Sequence, residues 1–575
     1  MNFKKFAEYL SRLEAISSRN EITVVLADLL KELSVEEVDK AIYLSLGELA
    51  PAYENLEIGV AEKIMSRVIS KAFGVSEEEA WIKYKKAGDW GIVAQEERGK
   101  VDSSQKALSI SEVYQRLVAV AGEGGNGSQD KKIEGICELF RELDTLSCRF
   151  VARIPVGALR LGFSELTVID ALSVMATGDK GAKKQLEMAY QVMSDVGKFA
   201  KKIKEEGLEK ATKHIRPIVG VPVMPMLAQR LTSASEIVDK MGRVAVEPKL
   251  DGVRVLIHFK RGKNGFVKAF TRNLNDISEM FPELQTLSEH VDAHEVILDG
   301  EAIGMDEQRK SLVDFQTTMR RRRKYDIAEL SSKVPLSFYL FDILLSDSKD
   351  FMHRSYLERR DELARIVKVG GSVKIVENMV TDDPNEIAKL HRLRLADGLE
   401  GIVAKKVDSE YVPGRTGWRW VKMKNDDSSA GKLSDTVDCV IMGYSSGRGK
   451  RAGFGIGNFL VGVVDGEKIK TITSVGSGLT DDEFKQLAEK LAAMSVREMP
   501  KDYEVKKTQQ PDSWVRPKLV VEIAGDDISK STEHTSGYAV RFPRMIKIRG
   551  DKSVAQATTI GEIASLFEMQ KQSAG

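Results

Sequence analysis

The sequence predicts a multidomain α and β chain in three parts. These are an all-α N-terminal domain over residues 1–215, an α+β middle domain with largely antiparallel sheets over 216–424, and a C-terminal OB-fold β-barrel over 425–575. Three observations predict it. Apolar residues recur at helical spacing from the first residue to about 215, and a cluster of prolines in RPIVGVPVMPMLAQ, from Arg216, then opens a stretch of strand-type alternation. After Lys424 a polar stretch, NDDSSAGKLSD, reads as a hinge or linker that leads into short strands spaced by glycine turns.

The first helix is MNFKKFAEYLSRLE, with Phe3, Phe6, Leu10 and Leu13 on one face. Ser34-Val-Glu-Glu37 and Ser76-Glu-Glu-Glu79 read as capping boxes, and IEGICELFRELDTL and ELTVIDALSVMA as further amphipathic helices. A loop, GEGGNGSQD, carries Gly122, Gly124 and Gly127 at dinucleotide-fingerprint spacing. That fingerprint needs a preceding strand, and VYQRLVAVA before it reads as helix, so the match is rejected. Between Arg149 and Gly162, arginines stand beside Gly157 and Gly162, an arrangement that suits phosphate contacts; a helix-turn-helix with solvated arginines is the simpler reading.

In the middle part the strands are VRVLIHF, VKAFTRN, VILDGEAIG, LSFYLFDIL, GIVAKK and WRWVKMK, with helices between several of them. The basic run Arg320 to Lys324 reads as a solvated face that can also touch a nucleic-acid backbone. Beyond the linker, VDCVIMGYS, NFLVGVVD, IKTITSVGS and LVVEIAGDD are strands, and a helix starts at Thr480 with Glu483 as its capping partner. The turn GRGKRAGFGIG lacks the Gly-Lys-Ser/Thr end of a Walker loop and reads as a basic hairpin.

With 575 residues the chain is too long for one core, and 42% apolar with 30% charged residues is a soluble composition. No apolar run is long enough for a bilayer and the start has no export pattern, so a cytoplasmic protein is expected. Cys137, Cys148 and Cys439 are far apart and make neither a disulfide framework nor a zinc site. A net charge of +1 leaves nucleic-acid binding to local clusters.

The chemistry centres on Val244 to Arg254, VAVEPKLDGVR. A strand ends at Pro248, Lys249 stands at its lip, Asp251-Gly252 reverses the chain, and Arg254 lies on the returning strand. An amine so placed can attack a bound phosphate. Asp-Gly between two alternating runs is equally a hairpin signal, which would leave Lys249 an ordinary surface lysine. Attack needs a neutral amine, whereas a free lysine has a pKa of about 10.4. Cationic neighbours such as Arg254, Lys422 and Lys424, with a metal, would favour that form. Lys422 and Lys424 are two apart on a strand and so share a face.

Six motifs in order, EPKLDGVR, TRN, LDGEAIG, FYLFDIL, EGIVAK with WRWVKMK, and RFPRMIKIRGDK, resemble those of ATP-dependent DNA ligases of the archaeal and eukaryotic replicative type, members of the covalent nucleotidyltransferase superfamily. The resemblance runs from the helical domain to Lys552. It implies a helical DNA-binding domain, an adenylation domain and an OB-fold domain that closes over ATP and later clamps DNA. It implies Lys249 as the nucleophile that becomes AMP-lysine, Glu247 as acceptor from the adenine amino group, and Phe341 as the ring stacked on the base, although Phe341 alone is equally a core residue. Arg254, Lys422 and Lys424 would face the α-phosphate, and Arg272 the nick's 5′-phosphate and the adenylate. Glu301 would contact ribose, and Glu301 with Glu400 would serve Mg2+ or Mn2+. Arg541 and Arg544, with Arg549, Asp551 and Lys552, would orient the departing pyrophosphate, whose growing charge suits arginines.

Two features depart from the family pattern. An arginine six residues before the first lysine of the pair is replaced here by Thr416, with Arg415 before it. The nearest sliding-clamp box, from Gln105 to Ile110, has no aromatic residues. The implied activity is sealing of nicks in duplex DNA during replication, repair and recombination, by a monomer that binds nicked double-stranded DNA without reading its sequence. An RNA ligase or a capping guanylyltransferase shares the lysine motif, but the large helical domain and the RFPR motif disfavour both. An NAD-dependent ligase would carry a four-cysteine zinc site. A non-catalytic nucleic-acid clamp would not need Lys249, Glu301, Glu400, Lys422 and Arg541 together.

Overall fold

The computed structural model describes residues 1–101, 105–157, 159, 161–213, 215–306, 312–313, 317–318, 321, 327–414, 417–424, 436–445, 456–525 and 527–572. The chain divides into two compact units, Met1–Met423 and Lys424–Gly575. Among the described residues no helix is long and apolar enough to cross a membrane.

Helices fill the first unit from Phe3–Ala15 to Leu208–Thr212. Phe3, Phe6, Leu10 and Leu13 are all buried in a core that extends to Ala211, so the opening amphipathic stripe packs as its spacing predicts. Asn2 caps this helix by accepting from the Lys5 N–H at 2.9 Å. Ser76 caps the helix Glu77–Ala87 in the same way. Ser34 does not: the helix after it begins only at Val38, and Glu37 instead pairs with the N-terminal amine of Met1. VYQRLVAVA lies in the helix Ile110–Gly122, so the glycine fingerprint after it follows a helix. Arg149 and Arg153 are held inside the fold by Glu14, at 2.8 and 2.9 Å, and so are not free for a phosphate. Arg160 lies outside the described residues.

Two sheets follow in the first unit. One, in the order Gln229–Arg230, Trp420–Lys424, Gly401–Lys406, Val244–Pro248, Met379–Thr381, has five described strands. The other joins Phe266–Thr271, Val253–Lys260, Glu295–Gly304, Leu336–Ser346 and Lys349–Asp350, with Val373–Ile375 parallel to Leu336–Ser346. Most ladders are antiparallel, because sheet neighbours joined by short returns need no crossover. The short edge strands carry too few residues to show alternation, and the sequence does not announce them.

The hairpin expected at Asp251-Gly252 does not form. Val244–Pro248 pairs with Gly401–Lys406 in one sheet, while Val253–Lys260 pairs with Glu295–Gly304 in the other. The turn carries the chain across, and Gly252 is required there: a Cβ would stand 2.5 Å from the Ala302 carbonyl oxygen and 2.8 Å from Ile303. Of the basic run, Arg321 is buried and paired with Glu283 at 2.8 Å; the other four residues lie outside the described residues.

In the second unit the strand Val437–Ser445 is the hub. It pairs antiparallel with Asn458–Asp465, Ser513–Val515 and Val520–Ala524, and bulges at Ile441/Gly443 and Val461/Gly462 bend the sheet. The helix Asp481–Ala493 starts with the capping box Thr480/Glu483, as predicted, and buries Phe484, Leu487 and Leu491 against this sheet. A final helix, Ile560–Gln572, adds Ile563 to the same core. The linker 425–435 and residues 447–455 of the basic hairpin lie outside the described residues.

Asp342 of the strand Leu336–Ser346 and Arg359 of the helix Tyr356–Ile366 form a fully buried pair at 2.7 Å, and Arg359 also donates to the Ser409 carbonyl at 2.8 Å. Removing one partner strands the other charge in the core. Arg359→Met is expected to destabilise by about 3–5 kcal/mol, read as a lowered urea midpoint; an unchanged midpoint would contradict this role.

Candidate active site

The two sheets face each other across a cavity of about 630 Å³, within the usual size of a small-molecule site. Its wall gathers Glu247, Lys249, Arg254, Arg272, Glu301, Phe341 and Lys422, seven of the residues singled out in the sequence. Lys249 lies at the end of Val244–Pro248, and its backbone N–H donates to the Gly401 carbonyl at 2.9 Å. That register sets Gly401 opposite Lys249 with Glu400 next to it, and the Lys249 ammonium pairs with the Glu400 carboxylate.

The cationic neighbour expected in Arg254 is already committed. Its guanidinium meets Asp299 at 3.0 and 2.6 Å and donates to the Met226 carbonyl at 2.6 Å. Asp299 also accepts from the Tyr411 hydroxyl at 2.7 Å. In the resting site the charge closest to the Lys249 amine is therefore the Glu400 carboxylate, and Arg254 works as a fixed wall. The signal was in LDGE: Asp299 and Glu301 are two apart, on one face of a strand whose register puts Glu301 opposite Arg254.

Glu247 is buried at 3% exposure and accepts from the Lys405 ammonium at 2.8 Å and from the Tyr356 hydroxyl. Lys405, the last residue of EGIVAK, was not singled out in the sequence, yet it is fully enclosed. Its ammonium lies 4.3 Å from the Phe341 ring centre and 4.2 Å from that of Trp420. Burial lowers its pKa, against the pull of Glu247. Phe341 meets Trp420 edge-on at 6.0 Å. Cavity and core are thus two sides of the same aromatic layer, with Trp420 and Tyr411 buried behind it.

Glu301 accepts from the Gly252 N–H at 3.2 Å. Burial pushes its pKa up to about 7, opposed by the nearby Arg254 and Lys249. Among the described residues no group of three or more potential metal ligands occurs. Mg2+, however, is ordinarily held by one or two carboxylates together with substrate phosphates and water. Glu301, at the cavity wall, and Glu400, paired with Lys249, fit such a partial set.

The remaining predicted residues stand elsewhere. Lys424 ends the strand that carries Lys422 and is not among the residues lining the cavity. Arg541 and Arg544 lie in the second unit; Arg541 is half exposed, 3.7 Å from Asp527, and Arg544 opens the strand Arg544–Ile548. Arg549 pairs with Asp438 at 3.0 Å and Asp551 at 2.7 Å, and Lys552 with Asp438 at 2.5 Å. Arg415 lies outside the described residues. Leu108 and Ile110 of the clamp-like stretch are core residues, so their side chains are not available for docking.

A helical body, a two-sheet body whose cleft is floored by a lysine, and a separate strand-rich unit together define a nucleotide-using ligase. Three family profiles match in the same order: "DNA ligase N terminus" over residues 2–173, "ATP dependent DNA ligase domain" over 225–424, and "ATP dependent DNA ligase C terminal region" over 452–552. A probable DNA ligase of Dictyoglomus thermophilum is 39% identical, covering 100% of this chain and 98% of the relative. DNA ligases of Sulfolobus acidocaldarius and Pyrobaculum islandicum are 36% and 38% identical, covering 99% and 100% of this chain and 98% and 99% of their own. A solved structure designated "Pmar-Lig_Pre." shares the fold at 17% identity and a TM-score of 0.53, over 95% of this chain and 99% of its own. The chain belongs to the ATP-dependent DNA ligase family, enzymes that use ATP and bind DNA.

The raised pKa of Glu301 has a signed consequence. Between an ordinary value of 4.5 and about 7 the folded protein holds a proton that the unfolded chain releases, so this stabilisation is complete below 4.5 and is lost as pH rises through 7. The melting temperature of the ligand-free wild type is expected to fall relative to Glu301→Gln between pH 5 and pH 8. A difference that stays constant over that range would contradict the assignment.

Proposed function

We propose that the enzyme seals nicks in duplex DNA through three transfers, with Lys249 as nucleophile. The observation that carries this reading is the convergence of Lys249, Lys422 and Arg272 with Glu247 and Phe341 on one cavity. In the first transfer the neutral Lys249 amine attacks the α-phosphorus of ATP; the P–N bond forms, the bond to pyrophosphate breaks, and the amine proton leaves. Lys422 and Lys424 hold the α-phosphate, and Arg541 and Arg544 orient the pyrophosphate. AMP then moves to the 5′-phosphate of the nick, which Arg272 receives: a phosphate oxygen attacks the adenylate phosphorus, the P–N bond breaks, and the Lys249 amine leaves and takes up a proton. Finally the 3′-hydroxyl attacks that phosphate, the phosphodiester forms, and AMP leaves.

In the resting site the Lys249 amine is paired with Glu400. Release of Glu400 from Lys249 is what the first transfer requires. Glu301 and Glu400 would hold a divalent cation, which when bound supplies positive charge to the phosphates. Glu247, fixed by Lys405 and Tyr356, presents a carboxylate edge for an adenine amino group, with Phe341 as the stacking surface.

The reading extends to three bodies, 1–215 as DNA-binding domain, 216–424 as adenylation domain and 425–575 as OB-fold domain, acting as a monomer in the cytoplasm during replication, repair and recombination. Contacts would go to the DNA backbone and carry no sequence readout. A sliding-clamp partner, if one exists, would have to use residues other than Leu108 and Ile110.

The test is sealing of a labelled nicked duplex with Mg2+ and either ATP, GTP or NAD, against a nick in RNA. Efficient sealing of the DNA nick with ATP is expected, and binding to the nicked duplex should weaken steeply, roughly 10³-fold or more, between 50 and 200 mM salt. Preference for GTP or for the RNA nick, or binding insensitive to salt, would overturn the reading.

A further inference from the structure

The helical region grips the turn that carries Arg272. Residues Ala52–Glu54 form a short 3-10 turn, followed by Asn55 in the left-handed region at φ 50°. The Asn55 side chain donates to the Asp276 carbonyl at 2.8 Å, and the Tyr53 ring meets Phe270 edge-on at 6.3 Å and 89°. Phe270 and Asp276 are bridged to each other and close the two ends of the turn Thr271-Arg272-Asn273-Leu274-Asn275. Both grips therefore fall on the base of the turn, one on each side.

The Tyr53 grip is firmly anchored. Tyr53 is buried, and its hydroxyl donates at 2.7 Å to Asp195, a fully buried carboxylate that also takes the Tyr43 hydroxyl at 2.6 Å and the Lys198 N–H at 2.9 Å. Lys198 reaches back to Glu54 at 2.8 Å. The turn is stiff as well: Thr271 N–H donates to Asn275 O at 2.9 Å, Leu274 N–H to Thr271 O at 2.8 Å, and Leu274 is itself left-handed at φ 64°. A closed turn held at both ends of its base moves as one piece, so a shift at Phe270 and Asp276 is carried to Arg272 at its tip.

We propose that Tyr53 and Asn55 are positioning residues that set Arg272 for the 5′-phosphate of the nick, and so couple the helical DNA-binding region to AMP transfer. The proposal rests on the reading of Arg272 as the group that receives that phosphate. Asn55 and Tyr53 touch neither ATP nor DNA in this account; they act only through the turn.

The experiment uses the full chain and five proteins: wild type, Asn55→Gly, Arg272→Ala, the double variant, and Tyr53→Phe, which removes the hydroxyl that anchors the other grip. Glycine accepts the left-handed backbone, so Asn55→Gly removes only the hydrogen bond. Lysyl-AMP formation from α-labelled ATP and single-turnover AMP transfer at saturating nicked duplex are read separately. Asn55→Gly and Tyr53→Phe are each expected to slow transfer roughly 5- to 20-fold while lysyl-AMP formation stays within about 2-fold. In the Arg272→Ala background Asn55→Gly should add nothing, because the two act as a unit. Unchanged transfer, an equal loss in both steps, or a full additional loss in the Arg272→Ala background would overturn the coupling. Arg272→Ala transferring AMP at the wild-type rate would instead overturn the reading of Arg272, and the coupling would fall with it.

Discussion

The structure depends on one crossing of the chain. Between Pro248 and Val253 the backbone leaves one sheet and enters the other, and it can do so because Gly252 lies against the backbone of the strand Glu295–Gly304 with no room for a Cβ. The crossing sets Lys249 at the junction of the two sheets, where the first sheet's register brings Glu400 to it and the second sheet's register brings Arg254 opposite Glu301. A lysine on a hairpin would have faced solvent. A lysine at a sheet junction faces a cavity.

The cavity is lined by charges that a stability-optimised core would not keep. Glu247 with Lys405, and Arg254 with Asp299, are desolvated pairs, each completed by a tyrosine hydroxyl from Tyr356 or Tyr411. Such pairs seldom stabilise a fold relative to apolar residues of the same size. Their benefit is a set of oriented dipoles and charges that need not reorganise when a nucleotide arrives. The aromatic layer of Phe341, Trp420 and Tyr411 gives them a rigid backing, since its rings pack edge to face at 5.7–6.0 Å.

Strands such as Val253–Lys260 and Val437–Ser445 were legible because their side chains alternate or are continuously apolar over eight or nine residues. The hairpin at Asp251-Gly252 was misread because that signal is local, while the choice of partner strand is made by residues about fifty and a hundred and fifty positions away. Ser34 looked like a cap because its spacing fits; the pairing of Glu37 with Met1 decided otherwise. Lys249, Glu247, Glu301, Phe341 and Lys422, which the motifs single out, line one cavity, but the commitments of Arg254 and Lys405 are not written in the motifs. Those are set by Asp299 and by three-dimensional enclosure, for which the linear sequence carries only the faint sign of acidic and basic residues at strand spacing.

The most direct test of the account is the identity of the residue that takes up AMP. The protein is incubated with Mg2+ and ATP, digested, and its peptides weighed before and after addition of nicked duplex. The account predicts a single adenylated peptide, modified at Lys249, that returns to its unmodified mass as the nick closes. Adenylation at another lysine, or none while nicks are sealed, would contradict it.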